Sequence, residues 1–368
     1  MTERERERRY LHWLCRNPQL GAVTIRTLGE YFGGFENTYN NIEEKELRQI
    51  KGMRQKQVDA LLEWKRHLPE TEEQYQELAR RTIRFVTPLD ADYPQRLREI
   101  HGYPMGLYVR GELPSGDRPA VAVVGARGSS AYGEQLAEKF AAALATENVQ
   151  IISGLAAGID GAAHRGALRS GKPSYAVLGC GVNICYPSAN YGLYREMTEC
   201  GGILSEFPPD AKPLARHFPM RNRIISGLAD AVLVVEAKKK SGSLITAELA
   251  LEQGREVFAV PGRVTDLLSE GCNRLIQDGA QMAIAPSDIL EYLGIKCRKE
   301  LKIREKNVNG LAKSEKLLYS FLDFKPKHLD DIAAESGLPV SECMGTLLEL
   351  ELGGYVYRSA NHYYGKKI

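Results

Sequence analysis

No stretch of this 368-residue chain stays apolar for the roughly 18–20 residues that a membrane-spanning helix needs. The opening residues, Met1-Thr2-Glu3-Arg4-Glu5-Arg6, alternate in charge and have no apolar centre. Neither a secretory leader nor a transit peptide is expected, and the expected compartment is the cytoplasm. Cys15, Cys180, Cys185, Cys200, Cys272, Cys297 and Cys343 are scattered, with no CxxC pair and no Cys/His ligand array. An odd number of dispersed thiols fits a reducing compartment and argues against structural zinc, so no metal is expected. Charge is also scarce in sum: the net value is +2, too small to announce a polyanion ligand by itself. Its distribution says more. Between Ala211 and Ala229 stand Lys212, Arg216, Arg221, Arg223 and His217 without one acid, and Lys238-Lys239-Lys240 follows. Each run alone reads most simply as solvated surface.

At this length two or three domains are expected. Residues 1–80 carry apolar positions at helical spacing, among them Leu11, Leu14 and Cys15, then Ile25 and Leu28, then Val58, Leu61 and Leu62. Residues 81–119 predict one short strand, Ile83–Val86, and then an irregular Tyr/Pro-rich connection. From Ala120 short apolar runs alternate with helical stretches: Val121–Val124, Val149–Ile152, Tyr175–Leu178, Ile203–Leu204, Ala231–Val235, Val257–Val260 and Met282–Ile284. That rhythm predicts an α/β fold whose parallel sheet has helices on both faces. Residues 81–295 form this domain, 296–312 read as a charged linker, and 313–368 give three short helical patterns and a Tyr-rich hairpin.

In a parallel sheet the strand–helix loops emerge at one edge, where ligands bind. Three of those loops are rich in glycine and hydroxyls. The first runs from Gly125 through Arg127, Ser129 and Ser130 to Gly133, the second from Ser153 and Gly154 to Asp160, and the third from Lys240, Ser241, Gly242 and Ser243 to Thr246. Glycine lets backbone approach a ligand, and helix starts offer unpaired N–H groups, so the edge predicts an anion or phosphate site. The missing motifs narrow the ligand. Gly125-x-x-Gly128 is not G-x-G-x-x-G, no acid ends the second strand to hold a ribose, and there is no GxxxxGK[ST]. No cofactor is therefore expected. The segment Phe218–Gly227 should lead a helix packed on the sheet, with Arg221, Asn222 and Arg223 beside the pocket as phosphate donors.

The stretches VAVVGARGSSAYG, SGLAAGIDGAAHRGAL, AVLGCGVNICYP, LSEFPP, FPMRNRIISGLADAVLVVEA, SGSLITAELALEQGREVFAVPG and GCNRLIQDGA, in unbroken order across about residues 81–294, resemble the successive signatures of the DNA processing protein A (DprA/Smf) family. The resemblance implies an extended Rossmann-like domain that binds single-stranded DNA, protects incoming strands, dimerises, and helps load the RecA recombinase during natural transformation. It carries binding roles over to Arg127, Ser129, Ser130, Ser153, Gly154, Arg221, Asn222, Arg223 and Lys238–Ser243, which include Lys239 and Lys240. No catalysis is implied. The best enzymatic alternative is a nucleoside-monophosphate hydrolase, since Glu248 follows Thr246 in a pattern similar to nucleotide-processing Rossmann enzymes. Asp160 and His164, four apart, offer an acid/base pair, although a structural role is the favoured reading.

The flanking regions carry fainter signals. Leu20-Gly21-Ala22-Val23 and Ile50-Lys51-Gly52-Met53 resemble helix-hairpin-helix turns of a SAM-like domain, but Val23 and Arg54 stand where a second glycine would be. The last segment resembles a winged helix whose third helix, Ser341–Leu352, holds three Glu and no Lys or Arg, which predicts a protein-contact or stabilising module rather than a DNA reader. For a dimer interface, Leu275, Ile276, Ile284, Ile289 and Leu290 are the candidates, some of which must instead be core.

Overall fold

A computed structural model describes residues 2–296 and 310–367. The linker expected at 296–312 lies almost wholly outside the described residues. The N-terminal region is helical, at Glu3–Cys15, Ala22–Phe32, Phe35–Asn41, Glu44–Leu47, Gln55–Trp64 and Leu68–Arg80. Leu11, Trp13, Leu14, Leu28, Leu47 and Leu61 are fully buried at its centre, so its apolar positions do face one core as the helical spacing requires.

The central sheet has nine strands: β1 (Arg84–Val86), β2 (Leu107–Gly111), β3 (Ala120–Val124), β4 (Gln150–Ser153), β5 (Ser174–Val177), β6 (Gly201–Ser205), β7 (Ala231–Val234), β8 (Glu256–Ala259) and β9 (Gln281–Met282). Their order is β1-β2-β6-β5-β4-β3-β7-β8-β9. From β6 to β9 every pairing is parallel, whereas β1 and β2 extend the edge antiparallel. This is the α/β, Rossmann-like fold. The five residues of β3 are all buried, and two apolar clusters cover its two faces. Strand β2 was not visible as a strand, because it is short and is preceded by prolines in the segment read as irregular.

The chain steps outward from β3 to β4, β5 and β6, then returns to place β7 on the other side of β3. The loops after β3 and β7 therefore diverge and leave a crevice at the carboxyl edge, the topological switch point at which open α/β sheets bind ligands.

The C-terminal region has helices Lys313–Phe321, Leu329–Ser336 and Val340–Leu352 and a small sheet of β10 (Lys327–His328), β12 (Tyr363–Lys366) and β11 (Val356–Ser359), the arrangement of a winged helix. Cys343, Leu347 and Leu350 point into its core. It touches the central domain through the Phe324 and Tyr132 rings, 5.2 Å apart between centroids. Among the described residues no helix is long and apolar enough to cross a membrane.

Candidate nucleic-acid interface

At the switch point lies a cleft of about 630 Å³. Helix His217–Gly227 forms one wall and the start of helix Gly242–Glu252 another. Of the residues expected at the site, Gly125, Arg127, Arg221, Asn222, Lys238, Lys240, Ser241, Gly242, Ser243 and Thr246 line this cleft. Gly154 lines a smaller depression that shares Arg127 and Arg221 with it.

The remaining residues are placed elsewhere or engaged elsewhere. The Ser153 hydroxyl is fully buried and donates to the Val123 carbonyl at 2.6 Å. The Ser129 hydroxyl donates to Glu134 at 2.9 Å. Ser130 caps helix Ala131–Thr146, accepting from the Gly133 N–H, and its own N–H and hydroxyl both go to the Glu236 carboxylate. Lys239 is exposed outside the lining. Arg223 gives two hydrogen bonds to Glu206, at 2.7 and 2.8 Å, and is also outside the lining. Two positions along a helix turn the side chain by about 200°, so Arg221 and Arg223 cannot face the same cleft. Arg223→Ala is accordingly expected to leave strand affinity within about twofold while lowering stability by about 1–2 kcal/mol, the scale of a half-buried charge-assisted pair. Parallel binding and urea-unfolding titrations check both halves; a large affinity loss in a normally stable variant would place Arg223 on the ligand path.

In two of the three glycine loops, carboxylates of the protein itself take N–H groups: that of Ser130 in the first and those of Gly154 and Ala156 in the second. Glu236 sits at the N-terminus of helix Ala131–Thr146, where an anion is favoured, held by Ser130. Asp160 accepts from the Gly154 and Ala156 N–H groups at 3.2 and 3.4 Å, closing the second loop on itself. The third loop is the open one. There Ser241 caps helix Gly242–Glu252, and its hydroxyl lies 2.8 Å from that of Ser243.

Beneath the cleft Arg221 is only 4% exposed. Its guanidinium donates to the Gly154 carbonyl at 3.3 Å. Burial draws its pKa down to about 10, while Asp160 pulls it back up. Burial likewise raises the Asp160 carboxyl above its ordinary range, against the pull of Arg221. A Cβ on Gly154 would stand 1.8 Å from an Arg221 nitrogen, so glycine here makes room for the guanidinium. Asn222 fixes the opposite wall, donating to the Gly242 carbonyl at 3.2 Å.

Above this floor the exposed cations are Arg127, Lys238 and Lys240, none of which forms an ion pair among the described residues. The Arg127 guanidinium lies 4.8 Å from the centre of the Phe218 ring, and that ring lies 5.8 Å from Tyr186. Phe218 and Tyr186 line the cleft but were not singled out in the sequence. Both fall inside the stretches that resemble the family, but a lone aromatic residue names no ligand, and it is the approach of Arg127 to Phe218 and of Phe218 to Tyr186 that marks them.

The alternative acid/base groups are not assembled. His164 is fully buried, its Nδ1 is 2.7 Å from the Ser174 hydroxyl, and burial lowers its pKa to about 3. Glu248 is exposed and outside the cleft lining.

The family model described as DNA recombination-mediator protein A matches residues 84–294, and that of the DprA winged helix domain matches residues 305–361. The chain is 44% identical over 278 residues to Protein Smf of Escherichia coli (strain K12), covering 74% of each chain. Over 385 aligned residues it is 32% identical to Protein Smf of Synechocystis sp., covering 95% of this chain and 96% of that one. Among solved structures it is similar to DNA processing protein A from Streptococcus pneumoniae, with TM-score 0.68, 36% identity, and coverage of 80% of this chain and 99% of that one. A second similar structure gives insights into the unique single-stranded DNA binding mode of DNA processing protein A from Helicobacter pylori, with TM-score 0.52, 30% identity, and coverage of 57% and 95%.

Proposed function

The chain belongs to the DNA processing protein A (DprA/Smf) family, and from that premise we propose that it binds single-stranded DNA in the switch-point cleft without turning it over. The observation that carries this reading is the pairing of cations outside any ion pair with aromatic rings in one cleft: Arg127, Lys238 and Lys240 beside the exposed Tyr186 and the half-buried Phe218. Backbone phosphates need the first, and unstacked bases need the second. Duplex DNA keeps its bases stacked, so its ring faces are withheld. The Helicobacter pylori relative, a single-stranded DNA binder, supports the same assignment.

The test is binding to single-stranded and duplex oligonucleotides of equal length across a salt series, with release of base or phosphate from mononucleotides followed alongside. The single strand is expected to bind more tightly. Arg127→Ala and Lys240→Ala should each make the slope of log K against log salt shallower by about 0.7, one phosphate contact on a single strand. Equal affinity for duplex, unchanged slopes in both variants, or mononucleotide hydrolysis would overturn the reading. The hydrolase alternative draws little support, because Glu248 and His164 stand away from the cleft.

We further infer that the bound strand is protected and handed to the RecA recombinase during natural transformation, a role supported by the family's description as a recombination mediator. Recombinase loading onto protein-coated strands is the assay for it. A homodimer is part of the same proposal. Strand β9 ends the sheet with Met282 47% exposed, and Ile284 beyond it is 66% exposed, while Ile289 and Leu290 are fully buried. Ile284→Lys is expected to give a folded monomer that binds long strands less well through lost bivalency. A monomeric wild-type protein in sedimentation at micromolar concentration would remove this part.

A further inference from the structure

Helix Val340–Leu352 turns one side into the core of the C-terminal domain, through Cys343, Thr346, Leu347 and Leu350. The opposite side of such a helix is ordinarily polar. Here it is not. Val340, Met344, Leu348 and Leu352 recur every four residues and are 46%, 49%, 54% and 80% exposed. Residues four apart advance by about 40° around a helix, so the four form one oblique stripe about 18 Å long. The rest of the chain leaves this stripe uncovered. The C-terminal domain meets the central domain elsewhere, with Phe324 against Tyr132, Asp323 near Arg263 and the Lys366 carbonyl accepting from Gln135. Two further features belong to the same side. Gly345 stands mid-helix, where glycine is unfavourable, and a Cβ there would meet nothing within 4 Å. The domain's own packing therefore gives no reason for a glycine, whereas a partner backbone approaching closely from outside does. Glu342 and Glu349, both exposed, run along the outer margin, and Glu351 follows at the C-terminal end. None of the three forms an ion pair among the described residues.

Those acids select the occupant. They repel the phosphates of nucleic acid and of anionic lipid alike, and a second copy of the helix would set acids against acids. The size narrows it further. The stripe offers a few hundred Å² of apolar surface, well below the roughly 800 Å² that each partner buries in a standard interface. Its width is that of one helix. We propose that the stripe is the docking site for an amphipathic helical segment of a different protein, with apolar anchors three and four residues apart and Lys or Arg on its flank. The anchors pack on Met344 and Leu348, the segment's backbone comes in over Gly345, and its basic flank meets Glu342 and Glu349. No residue of the C-terminal domain lines the switch-point cleft, so a docked segment leaves the cleft open to a strand. The proposal stands independently of the strand-binding reading.

Fluorescence anisotropy of the full chain with two short labelled peptides tests the surface. Both carry Leu anchors at helical spacing; one has Lys on its flank and the other has Glu at the same places. The Lys peptide is expected to bind at least about tenfold more tightly than the Glu peptide. Leu348→Ser should weaken the Lys peptide at least about tenfold. The double variant Glu342→Lys with Glu349→Lys should reverse the order of the two peptides. All three positions are exposed, so both variants should keep the wild-type melting temperature. In cells, a photo-crosslinking amino acid in place of Met344 should join the chain to a segment of another protein that carries the basic, apolar pattern. Equal binding of the two peptides, or an order that survives the double charge reversal, overturns the proposal. So does a crosslink confined to a second copy of the chain or to residues 297–309 of the same chain.

Discussion

Arg221→Ala is expected to lower affinity for single-stranded DNA at least about tenfold and to remove about 3–5 kcal/mol of folding stability, the scale of leaving a buried carboxyl without the nearby cation that offsets its burial. The two losses have one cause. Arg221 lies under the cleft beside Asp160 and shields it. Without the guanidinium, a buried carboxylate faces the phosphates and the floor of the cleft changes sign. The pH dependence separates this from simple loss of packing. The folded-state pKa of Asp160 is already raised by burial, and losing its cation raises it further. A carboxyl raised in the folded state contributes its stability below its ordinary value and loses it as pH rises through the folded value. The deficit of Arg221→Ala should therefore be larger at about pH 8 than at about pH 5. The double variant Arg221→Met with Asp160→Asn should recover most of the stability, since replacing both partners is far less costly than orphaning one. It should not recover the affinity. Unchanged strand binding by Arg221→Ala in a folded protein would place the phosphate path elsewhere.

Most of the parallel strands were readable because they are short, largely buried and mainly apolar runs, with the exposed Gln281–Met282 of β9 the exception, and the cleft because its three loops share one sheet edge. What the residues could not disclose is direction. Arg221 and Arg223 look equivalent in a basic run, yet one lies under the cleft and the other grips Glu206. Ser130 and Ser153 look like phosphate donors, but their hydroxyls are committed to Glu236 and to the Val123 carbonyl. Ile284 and Ile289 are five residues apart and alike in kind, yet the first is exposed just past β9 and the second is buried in helix Pro286–Tyr292. In each case composition places the residue near the site, and a tertiary partner decides its role. The same holds for Glu236, whose place at the end of a quoted stretch says nothing of its role, because its partner is 106 residues away.

Glu236→Ala is expected to cost about 2–3 kcal/mol of stability, because two donors of Ser130 lose a charged acceptor. Glu236 is 5% exposed, so water cannot readily replace it. The effect reaches function through Arg127. That residue rides on the loop between β3 and Ser130, and the latch to Glu236 fixes the far end of the loop. Unlatched, Arg127 must be ordered on the Phe218 ring at each binding event, and strand affinity should fall about threefold to tenfold. The opposing effect, removal of a negative charge, acts from outside the cleft lining and should be the smaller of the two. Glu236→Gln keeps one acceptor oxygen and should lose about half as much stability. Burial raises the Glu236 pKa above its ordinary value, outweighing the Ser130 bonds that lower it. Wild-type stability should then decline as pH rises through that raised value, whereas the Gln variant lacks this titration. The gap between them should accordingly be widest in acid and narrow towards neutrality. Urea unfolding of the three proteins at stepped pH, with strand binding at neutral pH, reads all of this. A Glu236→Ala protein as stable as wild type, with Arg127 still contributing its full salt slope, would show that the loop holds its shape without the latch.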